Sequence, residues 1–266
     1  MGVAAFAACS VLASVLYLWA PPDKPFETVH PEADGKSGRP KVAIIIDDLG
    51  YDPGLARRFF SLDLPLTLAV IPYAPHASAI GAEAGIRGYE TIAHIPMEPK
   101  SFPETDPGPG ALLLNMDDGV IEKMLDRNLG LVPGVVGVSN HMGSAFTESR
   151  DKMKTVIGSL KNRGLFFVDS LTSPATVARN ISGGLGVKFV ARDVFLDNEI
   201  STDNIERQLE LLLVIAERNG AAVGIGHPHP ETVEVLSRFR ERLLSRFELV
   251  PVSRVVEVPV NRIGGP

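Results

Sequence analysis

Four short apolar runs rich in β-branched residues each end in a carboxylate or an imidazole. The residues that follow these runs are the pair Asp47-Asp48, then His94, His141 and His227. Stretches with the apolar spacing of helices separate the runs, and this alternation predicts a parallel sheet. In a parallel α/β fold the carboxyl ends of the strands line one common mouth. The pattern therefore predicts that these side chains share one pocket.

The remaining strand and helix signals extend the same alternation along the chain. Strands are predicted over 42–47, 66–71, 89–94, 135–139, 165–168, 187–189, 194–196, 221–226 and 248–252, and helices over 53–61, 76–87, 117–128, 148–163, 174–179, 202–218 and 230–245. Seven or eight such units fit a (β/α) barrel better than an open sheet. The proline-rich stretch 96–110 is predicted to be a lid or binding loop, because loops of this length are usually functional.

The composition indicates one large α/β domain, predicted over 41–260. Of the 266 residues 45% are hydrophobic and 22% are charged, which is ordinary for a globular protein. The net charge of −6 and the lack of a long basic run argue against nucleic acid or acidic lipid as a partner. The single cysteine, Cys9, precedes this domain, so a metal held there needs nitrogen and oxygen ligands.

The first 20 residues carry no charged side chain, and residues 2–20 are long enough to cross a bilayer as a helix. They are a signal peptide or an N-terminal membrane anchor, and the anchor is favoured because Pro21 and Pro22 follow directly. Residues 21–40 are polar, rich in proline and glycine, and predicted to be a flexible linker. The expected location is the periplasm or cell envelope, with the protein secreted or tethered to the membrane through residues 2–20.

The adjacent carboxylates can divide the work of a hydrolase, one binding a divalent metal and the other taking a proton. Neighbouring strand residues point to opposite faces, but a turn at the strand end would let Asp47 and Asp48 both reach the mouth. One aspartate of this pair, together with His94 and His141, would then give three metal ligands with an open position, the pattern of a catalytic zinc site. The alternatives are a turn-capping or ion-paired aspartate and histidines bonded to the backbone.

His227 is expected to act as a general acid, with a fourth metal ligand or a structural role as alternatives. Five further positions carry secondary expectations. Glu98 would orient His94 or be a charge at the rim, and Asn140 would bind substrate or support His141. Asp169 and Asp197 would orient His227, bind substrate hydroxyls or cap turns. Arg192 would form a salt bridge.

Five segments together resemble the divergent polysaccharide deacetylase family, which is distantly related to the NodB-like carbohydrate deacetylases. They are Ile46-Asp47-Asp48-Leu49-Gly50, His94-Ile95-Pro96-Met97-Glu98-Pro99, Ser139-Asn140-His141-Met142-Gly143-Ser144, Phe167-Val168-Asp169-Ser170 and Ile225-Gly226-His227-Pro228. The resemblance implies a seven-stranded, distorted (β/α) barrel with a divalent metal held by one aspartate and two histidines. Residue by residue, it assigns Asp47 as base, Asp48, His94 and His141 as metal ligands, and His227 as acid. The chain departs from the NodB pattern because Glu98 replaces the second histidine of His-x-x-x-His.

These expectations define a metal-dependent carbohydrate deacetylase, with Zn²⁺ as the preferred metal, acting on N-acetylated envelope or extracellular sugars. Two alternatives remain open at this point. One is a non-catalytic barrel that keeps the metal pocket and binds a glycan or a cell-wall partner. The other is a metal-dependent hydrolase of a different amide or ester.

Overall fold

A computed structural model describes residues 38–260, in which seven α-helices alternate with nine strands. The strands are β1 (Lys41–Leu49), β2 (Thr67–Val70), β3 (Glu90–Met97), β4 (Gly137–Met142), β5 (Phe166–Asp169), β6 (Phe189–Ala191), β7 (Val194–Phe195), β8 (Ala221–Gly226) and β9 (Glu248–Leu249). The helices are α1 (Pro53–Phe60), α2 (Ala77–Ile86), α3 (Asp118–Leu131), α4 (Arg150–Arg163), α5 (Ala178–Leu185), α6 (Thr202–Asn219) and α7 (Pro230–Arg246).

The strands form one parallel sheet that curls into a half-barrel. Its order is β6-β5-β4-β3-β2-β1-β8-β7, with β9 pairing the start of β1. The two end strands, β6 and β7, are separated by only two residues in the chain, so the sheet must curl back towards itself. The predicted α/β fold with a distorted barrel is confirmed. The structure has nine strands in its described part rather than the seven that the resemblance implies, and three of them, β6, β7 and β9, are only two or three residues long.

Two faces of the sheet are buried, as expected for a parallel sheet covered by helices. Along β1, Ile44 and Ile46 pack outward with the helices, while Ala43 and Ile45 face the barrel interior. The segment after β9 closes the amino end of the barrel by placing Val252 among the interior residues. Its backbone N–H donates to Thr67 Oγ1 at 2.9 Å. A ligand must therefore enter from the carboxyl end.

Two predicted elements are displaced in the structure. The last strand stops at Leu249, because a short 3₁₀ turn over Val252–Arg254 takes the chain across the barrel. The helix predicted over 174–179 lies at Ala178–Leu185, because the preceding residues form a loop bonded to Asp169. Within residues 38–260 no helix is both long and apolar enough to span a membrane. The predicted signal peptide or anchor and most of the predicted linker lie outside the described residues.

Candidate metal centre

Strand alternation places the predicted site residues at the mouth of the barrel. Side chains two positions apart face the same side of a strand. The interior rows begin with apolar residues and end in polar ones, as Ile45 is followed by Asp47, Ile92 by His94 and Ile225 by His227. On β4, Ser139 and His141 occupy the equivalent face, since Val138 packs outward. The polar residues thus lie directly above the apolar barrel interior.

Asp48 joins this set through a bulge in β1. Ile46 pairs with Leu68, and Leu49 pairs with Val70. Between these two pairs β1 therefore has one more residue than β2. Asp48 has φ of 56°, a left-handed conformation that aspartate and asparagine tolerate better than most residues. The expected turn at the end of the strand is wrong, because β1 continues to Leu49. A bulge redirects a side chain without ending the strand, and this explains why adjacent aspartates reach one site.

Two imidazoles approach the same oxygen of Asp48. Nδ1 of His141 lies 2.8 Å and Nε2 of His94 lies 3.2 Å from Asp48 Oδ1. The two rings are 5.2 Å apart at their centroids and inclined by 71°. Candidate ligand atoms of all three residues lie within 4.8 Å of one another. The structure therefore brings together the three residues that were predicted as metal ligands.

The donor set fits a divalent metal. In the described part of the chain, Asp48 Oδ1 is buried against the two imidazole nitrogens, and Asp47 Oδ1 is buried without a hydrogen-bond partner. Burial opposes the charge of Asp48, but the contacts with His141 and His94 outweigh it and hold the pKa of Asp48 below its usual range. One ionised carboxylate and two imidazoles form a mixed oxygen and nitrogen donor set that suits zinc and related transition metals.

Asp47 is buried beside this cluster, with 1% of its surface exposed. Its Oδ2 lies 3.5 Å from His94 Nε2 and accepts a hydrogen bond from Ser170 Oγ at 3.3 Å. Burial raises the pKa of Asp47, and the nearby imidazoles, His94 first, counteract only part of this effect. A carboxylate with a raised pKa is better suited to take up a proton.

His227 lies on the other side of Asp47 and is held by Asp197. Nδ1 of His227 is 2.7 Å from Asp197 Oδ1, and its backbone N–H donates to Asp197 Oδ2 at 2.6 Å. Burial opposes protonation of the ring, but the hydrogen bond and charge of Asp197 and the charges of Asp47 and Asp48 raise the pKa of His227 to about 9. This histidine carries a proton at neutral pH.

Phe195 and Arg192 support the ring of His227 by stacking on it one behind the other. Phe195 lies against His227 with a centroid separation of 5.8 Å, and the Arg192 guanidinium lies 3.6 Å from the Phe195 centroid. Arg192 also donates to the carbonyls of Ser170 and Leu171 at 2.9 and 3.2 Å. Burial lowers the pKa of Arg192 to about 10 against the opposing charge of Asp169. Sequence reasoning expected only a salt bridge at Arg192 and missed Phe195, whose position beside His227 follows from the pairing of β7 with β8.

The secondary residues take different places around this cluster. Glu98 accepts a hydrogen bond from the Leu114 N–H at 2.7 Å, whereas the second nitrogen of His94 lies 2.7 Å from Ser139 Oγ. Ser139, not Glu98, is therefore the residue that orients His94. Ser139 was not predicted, because its contact follows from the lateral pairing of β3 with β4.

Asn140 and Asp169 stabilise the loops beneath the site. Asn140 accepts a hydrogen bond from the Ser170 N–H at 3.0 Å and donates to the carbonyl of Met142 at 2.8 Å. Both oxygens of Asp169 accept bonds from its own loop, from the Leu171 N–H at 2.9 Å and Thr176 Oγ1 at 2.8 Å. Of the two aspartates considered as partners of His227, Asp197 is the one that contacts it.

Comparison with known proteins agrees with this architecture. The profile of the divergent polysaccharide deacetylase family matches residues 44–256, and the chain belongs to that family. An uncharacterized protein of Agrobacterium tumefaciens C58 has a similar structure, with a TM-score of 0.78 and 29% identity over 85% of this chain and 92% of that one. The catalytic domain of the peptidoglycan N-acetylglucosamine deacetylase from Eubacterium rectale ATCC 33656 shares the fold, with a TM-score of 0.53 and 13% identity over 86% and 96% of the two chains.

One relative by sequence is longer than this chain. The uncharacterized protein YibQ of Escherichia coli (strain K12) is 36% identical over 198 residues, which are 74% of this chain and 61% of that protein. The chain therefore spans about three fifths of the length of YibQ.

Proposed function

We propose that the protein is a metal-dependent hydrolase that removes the acetyl group from N-acetylated sugars of the cell envelope or of extracellular glycans. The observation that carries this proposal is the convergence of Asp48, His94 and His141 within 4.8 Å, beside the buried Asp47. Family membership supports a carbohydrate substrate. The uncharged N-terminal segment supports a periplasmic or envelope location.

Asp48, His94 and His141 would hold the cation, with Zn²⁺ preferred. A divalent metal in this place supplies Lewis-acid polarisation of the amide carbonyl and lowers the pKa of water. The role of Asp48 fits its low pKa, because a carboxylate must be ionised to bind a metal. His94 can offer Nε2 to the metal while Ser139 Oγ accepts the proton on Nδ1.

Asp47 and His227 would carry the two proton transfers of amide hydrolysis. Asp47 takes a proton from water while the oxygen of that water bonds to the carbonyl carbon of the acetyl group. His227 then donates a proton to the sugar nitrogen as the C–N bond breaks, which yields acetate and the free amine. Because Nδ1 of His227 is engaged by Asp197, Nε2 is the nitrogen that can reach the leaving group.

The test is acetate release from N-acetylated oligosaccharides by the full, metal-loaded chain. Asp47→Asn keeps the shape of the side chain but removes the base, so we expect at least a 100-fold loss of turnover with metal content unchanged. Asp63→Asn is the matched control, because Asp63 is an exposed aspartate with a left-handed φ of 51° near the amino end of β2. Full activity of Asp47→Asn would remove the assignment of the base. Glycan binding by the wild type without acetate release would favour the non-catalytic barrel instead.

A further inference from the structure

Two tyrosine side chains are exposed in the described part of the chain, and both lie at the mouth of the barrel. Tyr51 is 58% exposed and Tyr73 is 40% exposed, whereas the other tyrosine and phenylalanine rings between residues 38 and 260 are buried or half-buried. Tyr51 follows β1 and Tyr73 follows β2, so both lie on the same face as the candidate metal centre. The proposed chemistry uses neither of them.

Backbone hydrogen bonds hold the two tyrosine loops together. The Ile71 N–H donates to the Leu49 carbonyl at 2.8 Å, and the His76 N–H donates to the Gly50 carbonyl at 2.9 Å. Tyr51 is only three residues after Asp48, a span of at most about 11 Å along the chain. The loop that carries Tyr73 is thus fixed next to the residues that lead out of the metal centre.

The ring of Tyr73 packs directly against the backbone of Gly110. A Cβ at position 110 would lie 2.3 Å from Cε2 of Tyr73, and Gly110 has a φ of 79°, so a side chain is excluded there. The fully buried Asn128 fixes the backbone of Gly110 by donating a hydrogen bond to its carbonyl at 2.9 Å. One part of the ring is thereby immobilised while the rest faces solvent, so binding through it costs little conformational entropy.

We propose that Tyr51 and Tyr73 form a stacking platform for the sugar rings that adjoin the reacting residue of a polymeric, N-acetylated glycan. The inference rests on the proposed function and deepens it by naming a glycan chain rather than a monosaccharide as the ligand. Tyrosine suits this ligand because it offers a large apolar face to the C–H surface of a pyranose and a hydroxyl to its polar edge. Tyr51 follows the candidate ligand Asp48 by three residues, and the Tyr73 loop is hydrogen-bonded to Leu49 and Gly50, so a glycan chain bound at the metal centre would extend towards both rings.

The experiment measures the affinity of the full-length protein for the hexamer and the monomer of N-acetylglucosamine by calorimetry, using the Asp47→Asn background to prevent turnover. We expect the hexamer to bind more tightly than the monomer, and Tyr73→Ala to weaken hexamer binding about tenfold while leaving monomer binding unchanged. Tyr73→Phe keeps the ring and should retain most of the affinity. Tyr51→Ala should weaken hexamer binding in the same direction.

Leu211→Ala is the control, because Leu211 is 47% exposed on α6. This substitution also removes exposed apolar surface, but away from the barrel mouth. Equal affinity of Tyr73→Ala and its background for the hexamer would overturn the platform, and so would equal binding of hexamer and monomer. Acetate release by the wild-type chain is measured separately. Loss of the platform effect with acetate release intact refutes this inference alone, whereas platform-dependent binding without acetate release refutes only the proposed hydrolysis.

Discussion

Asp197 contacts His227 twice, once through the ring and once through the backbone. Its Oδ1 lies 2.7 Å from His227 Nδ1, and its Oδ2 accepts the His227 N–H at 2.6 Å and a bond from Thr232 Oγ1 at 2.7 Å. A carboxylate with three such contacts fixes both the tautomer and the plane of the imidazole. This arrangement gives His227 a single orientation and a stabilised proton.

Asp197→Asn should lower the pKa of His227 from about 9 towards the ordinary value of 6.5. The physical reason is that a neutral amide no longer stabilises the imidazolium, while burial of the ring continues to oppose it. The measurement is an NMR titration of the His227 ring in metal-stripped protein. Asp203→Asn, at an exposed position in the first turn of α6, is the control. A His227 pKa that stays near 9 in Asp197→Asn would contradict the assignment.

The same proton should make the stability of metal-stripped protein depend on pH. Because folding raises the pKa of His227, its contribution is fully present below the unfolded value of about 6.5 and is lost as the pH rises through about 9. The contribution is up to about 3 kcal/mol. We expect the free energy of unfolding of wild type, relative to His227→Gln, to be larger at pH 6 than at pH 10. An identical difference at both pH values would show that the proton does not stabilise the fold.

Asp48→Asn should abolish stabilisation by metal. A ligand present at 100 times its Kd stabilises the folded state by roughly 2.7 kcal/mol, which raises the Tm of a domain of this size by roughly 5–10 °C. Wild type should show this increase with added Zn²⁺, and Asp48→Asn should not, because the amide is a much weaker ligand. Asparagine tolerates the φ of 56° at this position, so the backbone is preserved. Asp63→Asn, with φ of 51°, should respond to Zn²⁺ as wild type does.

Ser139→Ala should weaken metal binding without removing a ligand. The substitution leaves Nδ1 of the buried His94 without its partner at 2.7 Å, which costs about 1–3 kcal/mol of stability. Loss of such a supporting contact typically lowers metal affinity by about 10- to 100-fold. The affinity is measured by competition with a chelating indicator, with exposed Ser245→Ala on α7 as the comparison. Unchanged affinity in Ser139→Ala would mean that Ser139 does not orient His94.

The sequence was sufficient to predict the fold class and most of the residues that meet at the barrel mouth, whereas Asp48 was assigned as a ligand only through the family resemblance. Apolar runs with two-residue alternation identify strands, and parallel strands direct their carboxyl ends to one face. His94, His141 and Asp47 follow directly from that rule. The rule requires only that the strands run parallel in one sheet, and it does not depend on the register in which they pair.

Only the tertiary structure decided which groups support these residues. Asp48 reaches the centre through a bulge that appears when β1 is paired with β2. Ser139 contacts His94 because β3 and β4 pair in one particular register, and Phe195 contacts His227 because β7 pairs with β8 in a register that sets Phe195 beside Ile225. Register and curvature arise from contacts between residues distant in sequence, so no local pattern encodes them. The chain by itself determines which side chains can do chemistry, and long-range packing determines the partners that orient them.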